Sequence, residues 1–390
     1  MRSSLRLALL ALFAAAPAAA QRPVVQMPFD SPANLIVVEG RIGDSRPLWF
    51  ILDTGAQRTV INAAVVDSLG LALGDEGTAT GSAGESSMRW IPRATIRLGD
   101  VELRVDSAVS IALSSLEPAL GHRIDGILGH SVFAQYVVEV DYAADTVRLY
   151  RPDEYRPHPA ARAVPLRIAD EHAIVVADLF VGGEPVAGTF LLDTGASSEL
   201  SLNAPFVRRH RLLDRAGATT GGGAVMGVGG TSQSRSGRLD SLRIGGFTLT
   251  GPGASMSLDT AGALAQDDRA GIMGAEVFRR FRMTLDYPRN RMLLVPTSAL
   301  AEPFRQGRSG LAVIARGADF DHFVVAAVQP GSAGEAAGFR PGDEIVSVDG
   351  WTPANLDSIR DMLRVPGTRV TLTVRRGTET LQLPLSIAGD

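Results

Sequence analysis

Two aspartates, Asp53 and Asp193, carry the strongest chemical signal in this chain of 390 residues. Each ends an apolar run, Trp49-Phe50-Ile51-Leu52 before the first and Thr189-Phe190-Leu191-Leu192 before the second. Such runs read as core strands, so each carboxylate emerges from buried backbone, where an isolated negative charge is costly unless it is paired or solvated. Thr54-Gly55-Ala56 follows the first and Thr194-Gly195-Ala196 the second. The Thr offers a small hydroxyl anchor, and the Gly permits a tight turn close to another backbone.

The elements that must position these carboxylates are repeated with them. Upstream, Leu35-Ile36-Val37-Val38 and a turn at Gly43-Asp44 are answered by Ile174-Val175-Val176 and a turn at Gly182-Gly183. Downstream, the strands Thr59-Val60-Ile61 and Leu200-Ser201-Leu202 each lead into an Asn, Asn62 or Asn203, placed to cap a short helix. Gly126-Ile127-Leu128-Gly129 with Phe133 then corresponds to Gly271-Ile272-Met273-Gly274 with Phe278. Val138-Glu139-Val140-Asp141-Tyr142 corresponds to Met283-Thr284-Leu285-Asp286-Tyr287. One lobe has been built twice, and Asp141 and Asp286 are expected to close a strand or cap a turn.

Asp-Thr-Gly-Ala after an apolar strand, with an apolar-apolar-Gly element later in each half, resembles the retropepsin and pepsin group of aspartic proteases. The resemblance covers about residues 30–298. It implies a mainly β, bilobal fold whose pseudo-twofold lobes each donate one aspartate, Asp53 and Asp193, to a shared catalytic site. Thr54, Gly55, Thr194 and Gly195 would support the two loops. Carboxylates held roughly 3 Å apart share a proton, so one can accept a proton from water while the other donates to the substrate. A Gly-rich stretch at 77–84, with Gly81 and Ser82 at its tip, resembles a substrate-covering flap of that family. Residues 221–230, with Met226 and Gly227, form its counterpart in the second half. Neither tip carries a Tyr, and two flaps are more similar to retropepsin than to pepsin.

Composition removes several rival chemistries. The chain has no Cys, and all its basic residues are Arg. Disulfides, thiolate metal sites, a Cys nucleophile, a Schiff base and a P-loop lysine are therefore excluded. The six His residues show no His-Glu-x-x-His and no close pair at metal-ligand spacing, so neither metal nor cofactor is expected. A net charge of -4 gives no electrostatic footprint for nucleic acid. Residues 1–20 read as a signal peptide, with Arg2 and Arg6, an apolar run too short to span a bilayer, and Ala18-Ala19-Ala20 before Gln21. The expectation is an exported protein, periplasmic or extracellular, with no stable membrane span.

The expected organisation is lobe 1 over 21–150, lobe 2 over 151–298 and a third unit over 304–388. Pro-rich 151–159 and then 296–308 serve as connectors. The third unit resembles a PDZ domain, through the long stretch from Pro330-Gly331-Ser332 to Val348-Asp349-Gly350. By that resemblance it is a small α/β domain in which Gly310, Leu311, Ala312 and Val313 form the carboxylate loop and a free strand edge for peptide C-termini. Leu356, Ile359 and Leu363 recur at helical spacing beside it. The expected function is aspartic-type endopeptidase acting on peptides or proteins. The alternatives are a peptide-binding scaffold on the same fold and an acid-pair glycosidase, which needs carboxyls at least about 5 Å apart.

Overall fold

The structure is a computed structural model describing residues 21–81, 84–216, 220–227, 230–305, 307 and 309–387. The expected leader at 1–20 and Ser82 lie outside the described residues.

Alternating and continuous apolar runs build two sheets with the same strand order. The first runs Glu76–Gly81, Gly84–Ile91, Ala108–Ile111, Thr59–Asn62, Gly126–Leu128, Leu48–Leu52, Val37–Ile42, Ala94–Leu98, Val101–Val105. The second runs Thr220–Gly227, Gly230–Arg238, Gly253–Ser257, Leu200–Leu202, Gly271–Gly274, Glu184–Asp193, His172–Val181, Ser241–Ile244, Phe247–Thr250, with Arg167–Ala169 added beside His172–Val181. In both, the strand bearing the aspartate lies parallel to the apolar-apolar-Gly strand. Leu52 faces Leu128 in the first, and Asp193 faces Gly274 in the second. Phe50, Leu52, Phe190 and Leu192 are buried to 1% exposure or less. Each such side chain contributes about 1.5–3 kcal/mol by leaving water, which holds the strand end and its carboxylate in place.

The strands after these sheets leave their lobes and meet. Val137–Asp141 pairs antiparallel with Phe281–Asp286 at the centre of a six-stranded sheet drawn from both halves. Val138 stands opposite Leu285 and Val140 opposite Met283, so corresponding positions exchange partners about a local twofold. One apolar core runs through both lobes and this sheet, from Val25 to Phe304. Asp286, fully buried, accepts from Arg289 and from Arg291 at 2.8 Å, in the strand-closing place expected of it. The expected helix caps divide. Asn62 accepts from the Ala64 amide at 3.4 Å, whereas Asn203 makes no cap and donates to Gln266 O at 2.9 Å.

The C-terminal unit has its own core, including Val313, Ala315, Phe323, Val325, Ile359 and Leu372. Its sheet runs Leu311–Arg316, His322–Val328, Glu344–Val348, Arg369–Arg376, Glu379–Ser386, placing Leu311–Arg316 at an edge. Helix Leu356–Leu363 begins with a reciprocal Asn355 and Ser358 capping box and buries the expected Leu356, Ile359 and Leu363. The connector before this unit is pinned rather than loose. Buried Arg280 lies over the Phe304 ring and donates to Ala299 O and Glu302 O at 2.9 and 2.5 Å.

Candidate active site

Each Asp-Thr-Gly turn closes on its own backbone first. Gly55 N donates to Asp53 Oδ1 at 2.7 Å, and Gly195 N to Asp193 Oδ1 at 2.9 Å. The Asp53 amide bonds to Leu128 O at 3.0 Å, and the Gly274 amide to Glu199 O at 2.9 Å. The apolar-apolar-Gly element thereby braces each aspartate loop from behind. Its terminal Gly is required by space rather than by backbone angle. A Cβ on Gly129 would stand 2.6 Å from Arg58 O, and one on Gly274 would stand 2.7 Å from Ala196 O. Gly129→Ala is therefore expected to lower stability by about 1–3 kcal/mol, read as a fall in the urea midpoint. An unchanged midpoint would show that the loop yields freely.

The two turns then interlock. Thr54 Oγ1 donates to Leu192 O at 2.7 Å and accepts from Thr194 N at 3.0 Å. Thr194 Oγ1 donates to Leu52 O at 2.7 Å and accepts from Thr54 N at 3.1 Å. Both hydroxyls are buried, so four reciprocal bonds tie the lobes beneath the carboxylates. Asp53 and Asp193, each half-buried, are in hydrogen-bond contact with one another. Each carboxyl also lies over the opposite lobe's Gly. A Cβ on Gly55 would be 2.6 Å from Asp193 Cγ, and one on Gly195 would overlap Asp53. All six motif residues expected from the sequence thus converge at one point.

Burial and the neighbouring Asp53 charge raise the Asp193 carboxyl well above the ordinary carboxylate range. Burial raises Asp53 as well, while its hydrogen bonds to Asp193 and to the Gly55 and Ala56 amides draw it back. Such a pair titrates as a unit and retains one proton across a range where free carboxylates are ionised. Sequence reasoning missed one neighbour, His172, whose Nε2 lies 3.1 Å from Gly55 O. Burial and Arg269 hold its pKa below the ordinary histidine value. The repeat places His172 where lobe 1 has Leu35, two residues before the paired strand positions Ile174 and Val37, so its role has no counterpart to betray it.

The Gly-rich stretches form hairpins in both lobes. Gly81 pairs with Gly84 at the first tip, and Gly227 pairs with Gly230 and Met226 with Thr231 near the second. The strands Gly84–Ile91 and Gly230–Arg238 approach each other.

A family model for aspartyl proteases matches residues 38–132 and again 177–277, once in each lobe and just over half of the chain together. The chain belongs to the aspartyl protease family. Both matches contain the aspartate loop and the apolar-apolar-Gly element of their lobe. A PDZ domain model matches residues 324–376, which establishes the C-terminal unit as a PDZ domain. A curated relative from Agrobacterium fabrum, which bears the provisional name of a zinc metalloprotease, is 41% identical over 63 residues. That match spans 16% of this chain and 17% of the relative's length.

In the PDZ unit, Gly310 adopts the left-handed conformation (φ 70°) and sits against Ser332. Leu311 N donates to Ser309 Oγ at 3.3 Å. Leu311, Ala312 and Val313 begin the edge strand as expected, but the edge is not free. Lobe 1 covers it through the short helix Glu117–Leu120, a contact between distant segments that no local pattern announces.

Proposed function

We propose that this protein is an aspartic-type endopeptidase in which Asp53 and Asp193 act together on a water molecule. The observation that carries the reading is the pair of carboxyls in mutual hydrogen-bond contact, held by reciprocal Thr bonds from two lobes. The ionised member takes a proton from water as it attacks the peptide carbonyl. The protonated member donates to the carbonyl oxygen; when the resulting gem-diol collapses, the proton taken from water passes to the departing nitrogen and a gem-diol hydroxyl returns its proton to the carboxylate that had donated. No covalent intermediate is required. Contact between the carboxyls disfavours the glycosidase alternative, in which they stand further apart. A scaffold that only binds has no use for two buried carboxyls of which one, Asp53, raises the proton affinity of the other.

The tips around Gly81, Ser82, Met226 and Gly227 would cover an extended substrate from both lobes, and the PDZ unit would capture peptide C-termini. The Arg-containing apolar leader supports export to the periplasm or the exterior. The zinc chemistry in the relative's name is not carried over. The sequence lacks His-Glu-x-x-His, and among the described residues no three metal-ligating side chains are grouped to hold an ion.

The test is the pH profile of kcat/KM on an internally quenched peptide. Ionisation of one carboxyl sets the rising limb and loss of the shared proton sets the falling limb. Both carboxyls are raised, Asp193 the more strongly, so the bell should peak in acid but extend above the ordinary carboxylate range. Activity that climbs into alkaline pH, or that a chelator removes, overturns the mechanism.

A further inference from the structure

A PDZ fold takes an extended peptide as an added strand along its edge strand, against the neighbouring helix. Here those walls are Leu311–Arg316 and Leu356–Leu363. Helix Glu117–Leu120 of lobe 1 lies on the same edge strand. Gly121, which ends that helix in the left-handed conformation (φ 64°), faces both walls of the groove. A Cβ on it would stand 3.1 Å from Leu356 Cβ and 3.5 Å from Ala315 Cβ. Arg360 Nη2 donates at 2.6 Å to Ala119 O of lobe 1 and at 3.1 Å to Val313 O of the edge strand. A carbonyl of the strand that an added peptide would pair with is thus already bonded within the chain. At the start of the same helix, Asp357 Oδ2 accepts from Ala33 N of lobe 1 at 2.9 Å.

The character of this junction matters as much as its place. The PDZ core is closed by its own side chains, and the junction is made largely of backbone groups bonded to two charged side chains. Such a contact resembles a separable interface between domains more than a shared core. On the other side of the short helix, Leu116 and Leu120 pack against the lobe 1 cluster that includes Ile51, Val60, Val109 and Ile127, on which Ala56 of the aspartate loop and Ala79, Met88 and Trp90 of the first flap also pack. The segment on the groove is therefore part of the wall that supports the proposed cleft.

We propose that the PDZ groove has a resident occupant, residues 117–121 of lobe 1, and that a peptide with a free apolar C-terminus enters only when this segment leaves. The groove is then a gate with two exclusive occupants, and capture of a peptide requires the PDZ unit to part from lobe 1. This rests on the peptide-binding fold of the C-terminal unit and holds whether or not the Asp pair cuts peptides. Binding, rather than turnover, is accordingly the readout.

The chain has no cysteine, so Gly121→Cys with Ala315→Cys introduces the only pair that can form within it. Their Cβ separation of 3.5 Å lies at the short end of the disulfide range. A second variant, Gly121→Asn, keeps the left-handed backbone accessible while its side chain needs the space of Leu356 and Ala315. All variants are made in full-length Asp53→Asn protein so that the probe is not consumed. The probe is a fluorescein-labelled decapeptide pool ending in free Leu, Ile, Val or Phe, with the C-terminal amides as control.

The oxidised double variant is expected to bind the pool about tenfold more weakly than the same protein after reduction, because the competent fraction has been removed. Gly121→Asn is expected to bind about threefold more tightly than its parent, because that fraction has grown. The amides should bind weakly throughout. Equal affinity before and after reduction overturns the proposal, as does failure of the disulfide to form under mild oxidation. An unaltered affinity in Gly121→Asn, or no binding by any variant, overturns it equally.

Discussion

Replacing either Asp53 or Asp193 by Asn is expected to lower turnover of a short peptide by about a thousandfold, within the span that general acid–base groups contribute. Asn keeps the shape and the hydrogen bond from the Gly amide but can neither take nor pass the shared proton. Because one chain supplies both lobes, mixing the two single variants should restore nothing. Recovery on mixing would mean that the site assembles between chains. The same substitutions should move stability the other way at neutral pH. A carboxyl whose folded-state pKa is raised favours the fold below its unfolded pKa, and that contribution is lost as pH rises through the folded value. Asp193, the more strongly raised of the two, therefore weakens the fold near neutrality, and Asp193→Asn should melt higher there. The advantage should shrink in acid, where Asp193 is protonated in both states. A lower melting temperature at neutral pH, with the lobes otherwise intact, would contradict the assignment of a strained, proton-sharing pair.

The second large effect concerns the bonds beneath the pair. Thr54→Val preserves volume but removes the hydroxyl that donates to Leu192 O and accepts from Thr194 N. Two buried backbone groups then lose their partner, for an expected destabilisation of about 2–4 kcal/mol. Thr194→Val removes a different pair of bonds, to Leu52 O and from Thr54 N. Urea unfolding of the two single variants and the double variant should show losses that nearly add, since no bond is shared. If the double variant is no less stable than either single, the hydroxyls act as one unit through separation of the lobes. If Thr54→Val is as stable as the parent, the reciprocal bonds do not hold the lobes together.

The requirements legible in the sequence were those met by short stretches of chain. Asp-Thr-Gly after an apolar strand shows because a carboxylate at a strand end needs a turn that gives it an amide, and Gly55 and Gly195 supply that amide. Gly129 and Gly274 show because a loop backbone passes too close for a Cβ. The duplication of these stretches exposed the lobes, and the PDZ signature exposed the third unit. The tertiary structure alone decided that each Thr hydroxyl reaches the other lobe, 138 or 142 residues away for its carbonyl partner. It also paired the strand containing Val138 with that containing Leu285, set His172 beside Gly55, and laid Glu117–Leu120 on the PDZ edge. A contact between remote segments leaves no period or spacing in the chain. It depends on how finished sheets and domains dock, and residues such as Gly121 and Arg360 look ordinary until the surfaces they join are in place.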